Sequence, residues 1–244
     1  FSNVELENME SESRRKHHYK LTVKCKNKKQ KEFLNLLKDE NKKICFGIGS
    51  AGTGKSYISL SYALMALKDG ELPYEQIICF VPTCEAGAMT IGLLKGSLME
   101  KVWPYVEADR DTIEKILKNS NNSRPKQIVQ DLFSDETIEY RLVNFARGAT
   151  LDNAVILIAE AENFSKEEML LLLTRIGENS KIIITGDLEQ LDRKDILKSK
   201  KKCGLEYAVE KLSKLSSVGV VEFTNEDIVR NPLIGQIIDL WKTE

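Results

Sequence analysis

An α/β fold, with a mainly parallel sheet flanked by helices, is what this sequence predicts. Three observations carry that prediction. Short continuous runs rich in Ile and Val recur along the chain, as strands buried on both faces require. Stretches of helical period alternate with them. Hydrophobic residues make up 42% of the 244 positions, enough apolar material to bury a core.

The elements follow in order. Residues 1–26 are polar, with a basic run at Arg14, Arg15, Lys16, Lys20 and Lys24. They read as an N-terminal arm or edge extension ahead of a single domain over 27–244. Phe33, Leu34, Leu36 and Leu37 lie near helical spacing and predict a short helix ending around Asp39. A buried strand follows over Ile44–Ile48, then a glycine-rich turn, then a helix that stops at Asp69 and Gly70, a glycine cap. Ile77–Val81 is a second strand, closed by Pro82. Residues 96–118 are expected to be helical, 119–125 a turn, 126–132 a weak helix and Ile138–Phe145 extended. Ala154–Ile158 is a strand. A helix over 166–176 is capped by Ser165, with Glu168 at capping-box spacing. Lys181–Thr185 is a strand, 204–215 a helix, 218–223 a strand and 233–242 a final helix.

Composition narrows the function. Lys plus Arg total 36 against 37 Asp plus Glu, a net charge of -1, which excludes a uniformly basic nucleic-acid binder but leaves room for local basic patches. The five cysteines, at 25, 45, 79, 84 and 203, form no C-x-x-C pair, so neither a disulfide framework nor a cysteine zinc site is expected. Reduced thiols and a polar N-terminus unlike a secretory signal point to the cytoplasm. No apolar run approaches the roughly 18 residues of a membrane span, so no membrane partner is expected. His17 and His18 are the only histidines, which argues against a histidine triad or multi-histidine metal site. The chain opens on Phe1 rather than Met, as part of a longer product would.

The turn after the first strand carries the chemistry. Gly49, Ser50, Ala51, Gly52, Thr53, Gly54, Lys55 and Ser56 fit G-x-x-x-x-G-K-[ST], with a strand entering and a helix leaving. Glycines let the backbone wrap a phosphate without Cβ clashes. The amides point at the phosphate from the positive helix end. Lys55 reaches the β- and γ-phosphates, and the Ser56 hydroxyl is a Mg²⁺ ligand. A nucleoside triphosphate with Mg²⁺ is therefore the expected ligand pair.

Such a loop needs carboxylates from other strands. Ile158 leads into Ala159, Glu160, Ala161 and Glu162; Thr185 leads into Gly186 and Asp187. Residues just past the C-terminal ends of parallel strands sit where open α/β sheets bind ligands. Glu160 is expected to orient and deprotonate the attacking water. Asp187 is expected to sense the γ-phosphate or hold the metal.

Taken in order, these motifs resemble the core of superfamily 1 helicases, and more closely the PhoH family, especially phage PhoH-like proteins. The resemblance runs from about residue 27 to residue 240. Gln30 resembles the family's upstream glutamine, which would hydrogen-bond adenine. Pro82, Glu85, Ala86 and Gly87 resemble its R-P-x-x-E-A-G element, and Gly92 to Gly96 and Glu100 to Tyr105 continue it. Arg147, Gly148, Thr150 and Leu151 resemble the segment before the acidic strand. Asp227, Arg230, Pro232 and Leu233 resemble its C-terminal arginine motif. Where the family has D-E-A-Q, this chain has Ala159, Glu160, Ala161 and Glu162, and Val81 replaces an arginine. The resemblance implies a RecA-like P-loop NTPase fold and ATP hydrolysis, possible helicase activity, and a homohexameric ring acting on RNA or single-stranded DNA. The lost acidic-motif aspartate sets a second expectation beside it: a nucleotide-binding assembly module with weak or no hydrolysis.

Phosphoryl transfer also needs positive charge beyond Lys55, and an arginine finger is worth about 10³–10⁵ in rate. The chain is too short for a second RecA-like domain, so a neighbouring subunit is expected to supply the arginine. Arg230 is the first candidate, followed by Arg175 and Arg147. Lys194, Lys198, Lys200, Lys201 and Lys202, with the N-terminal arm, are the candidate phosphate contacts. Trp103, Tyr105 and Phe145 are candidate base-stacking or core aromatics.

Overall fold

The computed structural model describes residues 17–68, 72–82, 98–190, 202–229 and 240. Its centre is a six-stranded sheet formed by β1 (Ile44–Gly49), β2 (Gln76–Val81), β3 (Ile138–Leu142), β4 (Ala154–Ile158), β5 (Lys181–Gly186) and β6 (Val218–Phe223). The spatial order is β3-β2-β4-β5-β1-β6, and every pairing is parallel. Central strands β1, β4 and β5 are almost continuously buried. Their Ile and Val side chains fit a pleated surface covered on both sides.

Helices cover both faces. On one side α1 (Lys28–Lys38), α2 (Lys55–Lys68), α3 (Leu98–Asn119) and α4 (Pro125–Ser134) enclose a core that includes Phe33, Leu37, Ile58, Leu64, Ile113, Leu117 and Leu132. On the other side α5 (Lys166–Leu173) and α6 (Gly204–Leu212) bury Met169, Leu172, Leu205 and Ala208 against Phe46, Ile156 and Ile184. Each start has a local cause. Asn27 caps α1 by accepting from the Gln30 amide at 2.8 Å. Pro125 opens α4 at the first helical position, where its missing N–H costs nothing. Ser165 and Glu168 form the expected reciprocal box at α5.

Several boundaries differ from the sequence reading. The helix expected over 166–176 ends at Leu173, with Thr174 as its cap; the chain must then turn so that Leu151 and Ile176 bridge ahead of β4 and β5. The helix expected to 215 ends at Leu212, with Ser213 as its cap. The extended segment expected to Phe145 stops at Leu142 and tightens into a 3₁₀ turn over Val143–Ala146. The glycine cap expected at Asp69 and Gly70, and the element from Glu85 to Gly96, lie outside the described residues. So does the final helix expected over 233–242, apart from residue 240.

Residues 17–26, read from sequence as arm, lie along α2 and α3 as an extended strap. Tyr19 is buried and Leu21, Val23 and Cys25 are half-buried, while Lys20, Thr22, Lys24 and Lys26 face out. That is the period-two pattern of a strand with one covered face. The Tyr19 hydroxyl donates to the Leu64 carbonyl at 2.7 Å. The Lys20 and Thr22 amides donate to Asn122 Oδ1 and Ser120 Oγ at the end of α3. Among the described residues no helix is long and apolar enough to cross a membrane.

Candidate active site

The strand order decides what meets the glycine-rich turn. β1 delivers the turn at its C-terminal end, and its neighbours are β5 and β6. Asp187, just past β5, is therefore next to the turn, while the acidic segment after β4 lies one strand further along the sheet edge.

Residues 49–56 are held from several sides. Gly49 has φ +124°, and a Cβ there would lie 1.9 Å from the Phe223 carbonyl oxygen of β6. Ser50 Oγ donates to Asn225 Oδ1 at 2.5 Å, and the Val229 amide donates to the Gly52 carbonyl at 3.1 Å. Gly54 has φ +89°, and a Cβ would fall 2.5 Å from Gln30 Nε2. Both glycines are thus required by backbone conformation and by close approach. Gly49→Ala is expected to lower the melting temperature by about 5–10 °C in thermal denaturation; an unchanged melt would mean that the turn does not lie against β6.

Lys55 begins α2 and is buried. Its Nζ donates to the Gly49 carbonyl at 2.5 Å and the Ser50 carbonyl at 2.8 Å, so the ammonium stands at the centre of the turn. Burial lowers its pKa, and the nearby carboxylates of Asp187 and Glu162 oppose that shift. Ser56 is exposed and lines the same cavity as Asp187, the other expected metal ligand. Asp187 Oδ2 accepts from the Ala51 amide at 3.0 Å, and Oδ1 from the Glu189 amide at 3.1 Å. The β5 carboxylate is thereby tied to the phosphate turn itself.

The acidic segment divides in two. Glu160 is exposed, has φ 49° in the left-handed region and starts a 3₁₀ turn over Ala161–Asn163. Glu162 is only 3% exposed, and its Oε2 accepts from the Asp187 amide at 2.9 Å. Burial pushes the Glu162 carboxyl up to about 7; backbone donors pull it down, and the charges of Glu160 and Asp187 push it further up. Both glutamates line the cavity.

That cavity has a volume of about 600 Å³, within the range of small-molecule sites. One end is formed by the turn, Lys55, Ser56 and the three carboxylates; the remaining wall comes from Lys24 and Lys26 of the strap, Gln30, Tyr57, and Thr112, Lys115 and Asn119 of α3. The arrangement fits a nucleoside triphosphate: backbone amides and an ammonium at one end, and room with polar side chains beyond. Gln30, the expected base contact, is buried. Its Nε2 donates to the Thr53 carbonyl and its Oε1 accepts from the Lys26 amide, so it ties the strap to the turn while still lining the cavity.

The sequence reading did not place the strap lysines, Tyr57 or the α3 wall at this cavity. Two signals could have found them: the alternation from Tyr19 to Cys25, and the spacing of Thr112, Lys115 and Asn119 along one helix face. It gave Glu160 the water-orienting role and gave Glu162 none, since nothing in a linear A-E-A-E run says which side chain turns inward.

The other candidates lie elsewhere. Arg147 and Arg175 line a separate cavity of about 350 Å³ against α5, together with Glu167 and Leu171. Arg230, Lys194, Lys198, Lys200 and Lys201 lie outside the described residues. Lys202 pairs with Glu206 and Glu210. Trp103 and Phe145 are exposed, whereas Tyr105 packs against Val81, Val102, Val106 and Leu142.

Comparison with known proteins identifies the lineage. The family model described as PhoH-like protein matches residues 22–242. The chain belongs to the PhoH family. It is 36% identical over 220 residues to the PhoH-like protein of Bacillus subtilis (strain 168), covering 90% of this chain and 64% of that one. It is 34% identical to the PhoH-like protein of Mycobacterium tuberculosis (strain ATCC 25618 / H37Rv), covering 58% of that chain. Against Protein PhoH of Escherichia coli (strain K12) the identity is 32% over 213 residues, covering 86% of this chain and 56% of that one. The chain thus spans somewhat over half the length of these curated relatives. Among solved structures, the large terminase of a thermophilic bacteriophage overlaps with a TM-score of 0.47 at 13% identity, covering 89% of this chain and 50% of that one; so loose a likeness carries no functional argument. The parallel sheet and the turn over 49–56 together describe a P-loop α/β fold.

Proposed function

We propose that this PhoH-family chain binds ATP in the 600 Å³ cavity and hydrolyses its β–γ phosphoanhydride. The observation that carries the reading is the convergence on one cavity of the 49–56 turn, the buried Lys55 ammonium, the Ser56 hydroxyl and the carboxylates of Glu160 and Asp187. The turn amides and Lys55 bind the phosphate tail. Glu160, exposed at the mouth, orients the attacking water and accepts its proton. Asp187 and Ser56 would hold Mg²⁺. Such an ion takes one or two protein oxygens and completes its shell with phosphate and water. When bound, Mg²⁺ neutralises charge on the phosphate oxygens.

Among the described residues no arginine lines the cavity. In this reading the chain works as a ring in which a neighbouring copy supplies an arginine, with Arg230, Arg175 and Arg147 as the candidates, and with RNA or single-stranded DNA as the macromolecule remodelled.

A second reading, nucleotide binding with little hydrolysis, rests on Ala159, which stands where the family's aspartate would lie. Mg²⁺-dependent phosphate release decides between them. Measurable release from wild type is the expected result, with Ala159→Asp raising it by about 10-fold or more. No release from wild type together with strong release from Ala159→Asp would establish the binding module instead.

A further inference from the structure

We propose that Glu162 is a positioning residue of the phosphate site, holding the backbone of Asp187 so that the Asp187 carboxylate stays on the phosphate turn. The inference rests on the reading of the cavity as an ATPase site. It gives a role to Glu162, which the reading of the site so far leaves without one.

The geometry is a relay across three strands. Glu162, beyond β4, accepts from the backbone amide of Asp187, beyond β5, at 2.9 Å. Asp187 Oδ2 in turn accepts from the Ala51 amide, beyond β1, at 3.0 Å. The acidic turn therefore reaches the phosphate turn through two hydrogen bonds, both anchored on Asp187. β4 and β1 are not neighbours in the sheet, so a direct contact is replaced by this two-step connection through the strand between them.

The seat of the Glu162 carboxylate is built for it. A Cβ on Gly186 would lie 2.5 Å from Glu162 Oε2 and 3.2 Å from the Ala161 amide. It would also lie 2.6 Å from Leu205 Cδ2, so the glycine leaves the Glu162 side chain its present place beneath the strand end. Glu162 is also buried, at 3% exposure, which favours keeping its protein partner over water. Glu160, two residues earlier, is exposed. The two glutamates therefore divide the work: one faces the cavity mouth, the other fixes the neighbouring strand end.

A positioning role depends on the acceptor oxygen at residue 162, not on its charge. This separates Glu162→Gln, which keeps an acceptor of the same shape, from Glu162→Met, which keeps the volume and loses the acceptor. Three quantities are to be measured on the full chain: steady-state phosphate release, calorimetric ATP affinity, and hydrogen exchange at the Asp187 amide by NMR.

Glu162→Met is expected to lower kcat by about 10- to 100-fold, the scale of a misplaced catalytic group, with a much smaller change in ATP affinity. The Asp187 amide should exchange about 10-fold faster, as expected on losing one hydrogen bond. Glu162→Gln should restore both kcat and protection. Gly186→Ala, which intrudes on the same seat, should accelerate exchange at Asp187 in the same way and covers the case in which Glu162→Met does not fold.

Unchanged exchange at Asp187 in both Glu162→Met and Gly186→Ala would overturn the proposal. So would a loss of kcat in Glu162→Gln as deep as in Glu162→Met, since the charge would then be the active feature. A wild-type protein that neither binds nor turns over ATP would refute the ATPase reading, while the exchange measurement would still report on the Glu162–Asp187 link.

Discussion

Replacing Lys55 with alanine is expected to reduce ATP turnover by about 10²–10³-fold, the scale on which one preorganised electrostatic donor contributes. Calorimetric titration should show weakened triphosphate binding as well. The reason is location. The Lys55 ammonium is buried at the start of α2 and lies within hydrogen-bond reach of the Gly49 and Ser50 carbonyls. It is thus held at the centre of the turn rather than displayed on a mobile stem. Its carboxylate neighbours, Asp187 and Glu162, keep the local charge balanced until a phosphate adds its own. Circular dichroism should show the variant folded, because the helix that follows is anchored by Ile58, Leu60 and Leu64 in the core. Turnover and affinity both left at wild-type levels would remove the site assignment altogether.

Glu162→Gln is expected to stabilise the ligand-free protein at alkaline pH by about 3 kcal/mol, taking 1.36 kcal/mol per pKa unit, and to change little near pH 4. The sign follows from the direction of the shift. The Glu162 carboxyl titrates at about 7 in the fold against an ordinary value of 4.5. The folded state therefore holds its proton more tightly than the unfolded chain does. Stability from the protonated form is fully present below pH 4.5 and is lost as pH rises through 7. Glutamine mimics the neutral form at every pH and keeps an acceptor for the Asp187 amide, so its advantage grows across that window. Urea denaturation of both proteins from about pH 4 to about pH 8.5 measures it; a constant difference across that range would mean that Glu162 is not the titrating group.

The strands are the most legible part of the sequence. The runs over Ala154–Ile158 and 218–223 have in the structure the bounds that the sequence predicts, and β1, β2 and β5 agree to within one residue. Unbroken runs such as Ile182, Ile183 and Ile184 permit little else. The phosphate turn is equally readable, because glycines at 49, 52 and 54 answer to local backbone needs that a linear pattern records. What cannot be read depends on neighbours distant in sequence. The inward turn of Glu162 requires Gly186, 24 positions later in the chain, to leave room beneath β5. The strap over 17–26 is set by Ser120 and Asn122 at the far end of α3. Its alternating pattern is present, but a charged neighbourhood conceals it. Helix ends escape for a related reason: Thr174 ends α5 because the chain must bridge Leu151 to Ile176, a demand made by the sheet and not by helix propensity.

The pairing of β1 has a consequence for how the protein is made. Its partners, β5 and β6, are the last two strands of the sheet in chain order. During synthesis the glycine-rich turn emerges early, yet one edge of its strand stays bare until residue 186 has cleared the ribosome and the other until residue 223 has. Nascent chains halted before β5 should accordingly fail to retain nucleotide even though every residue of the turn has already been translated.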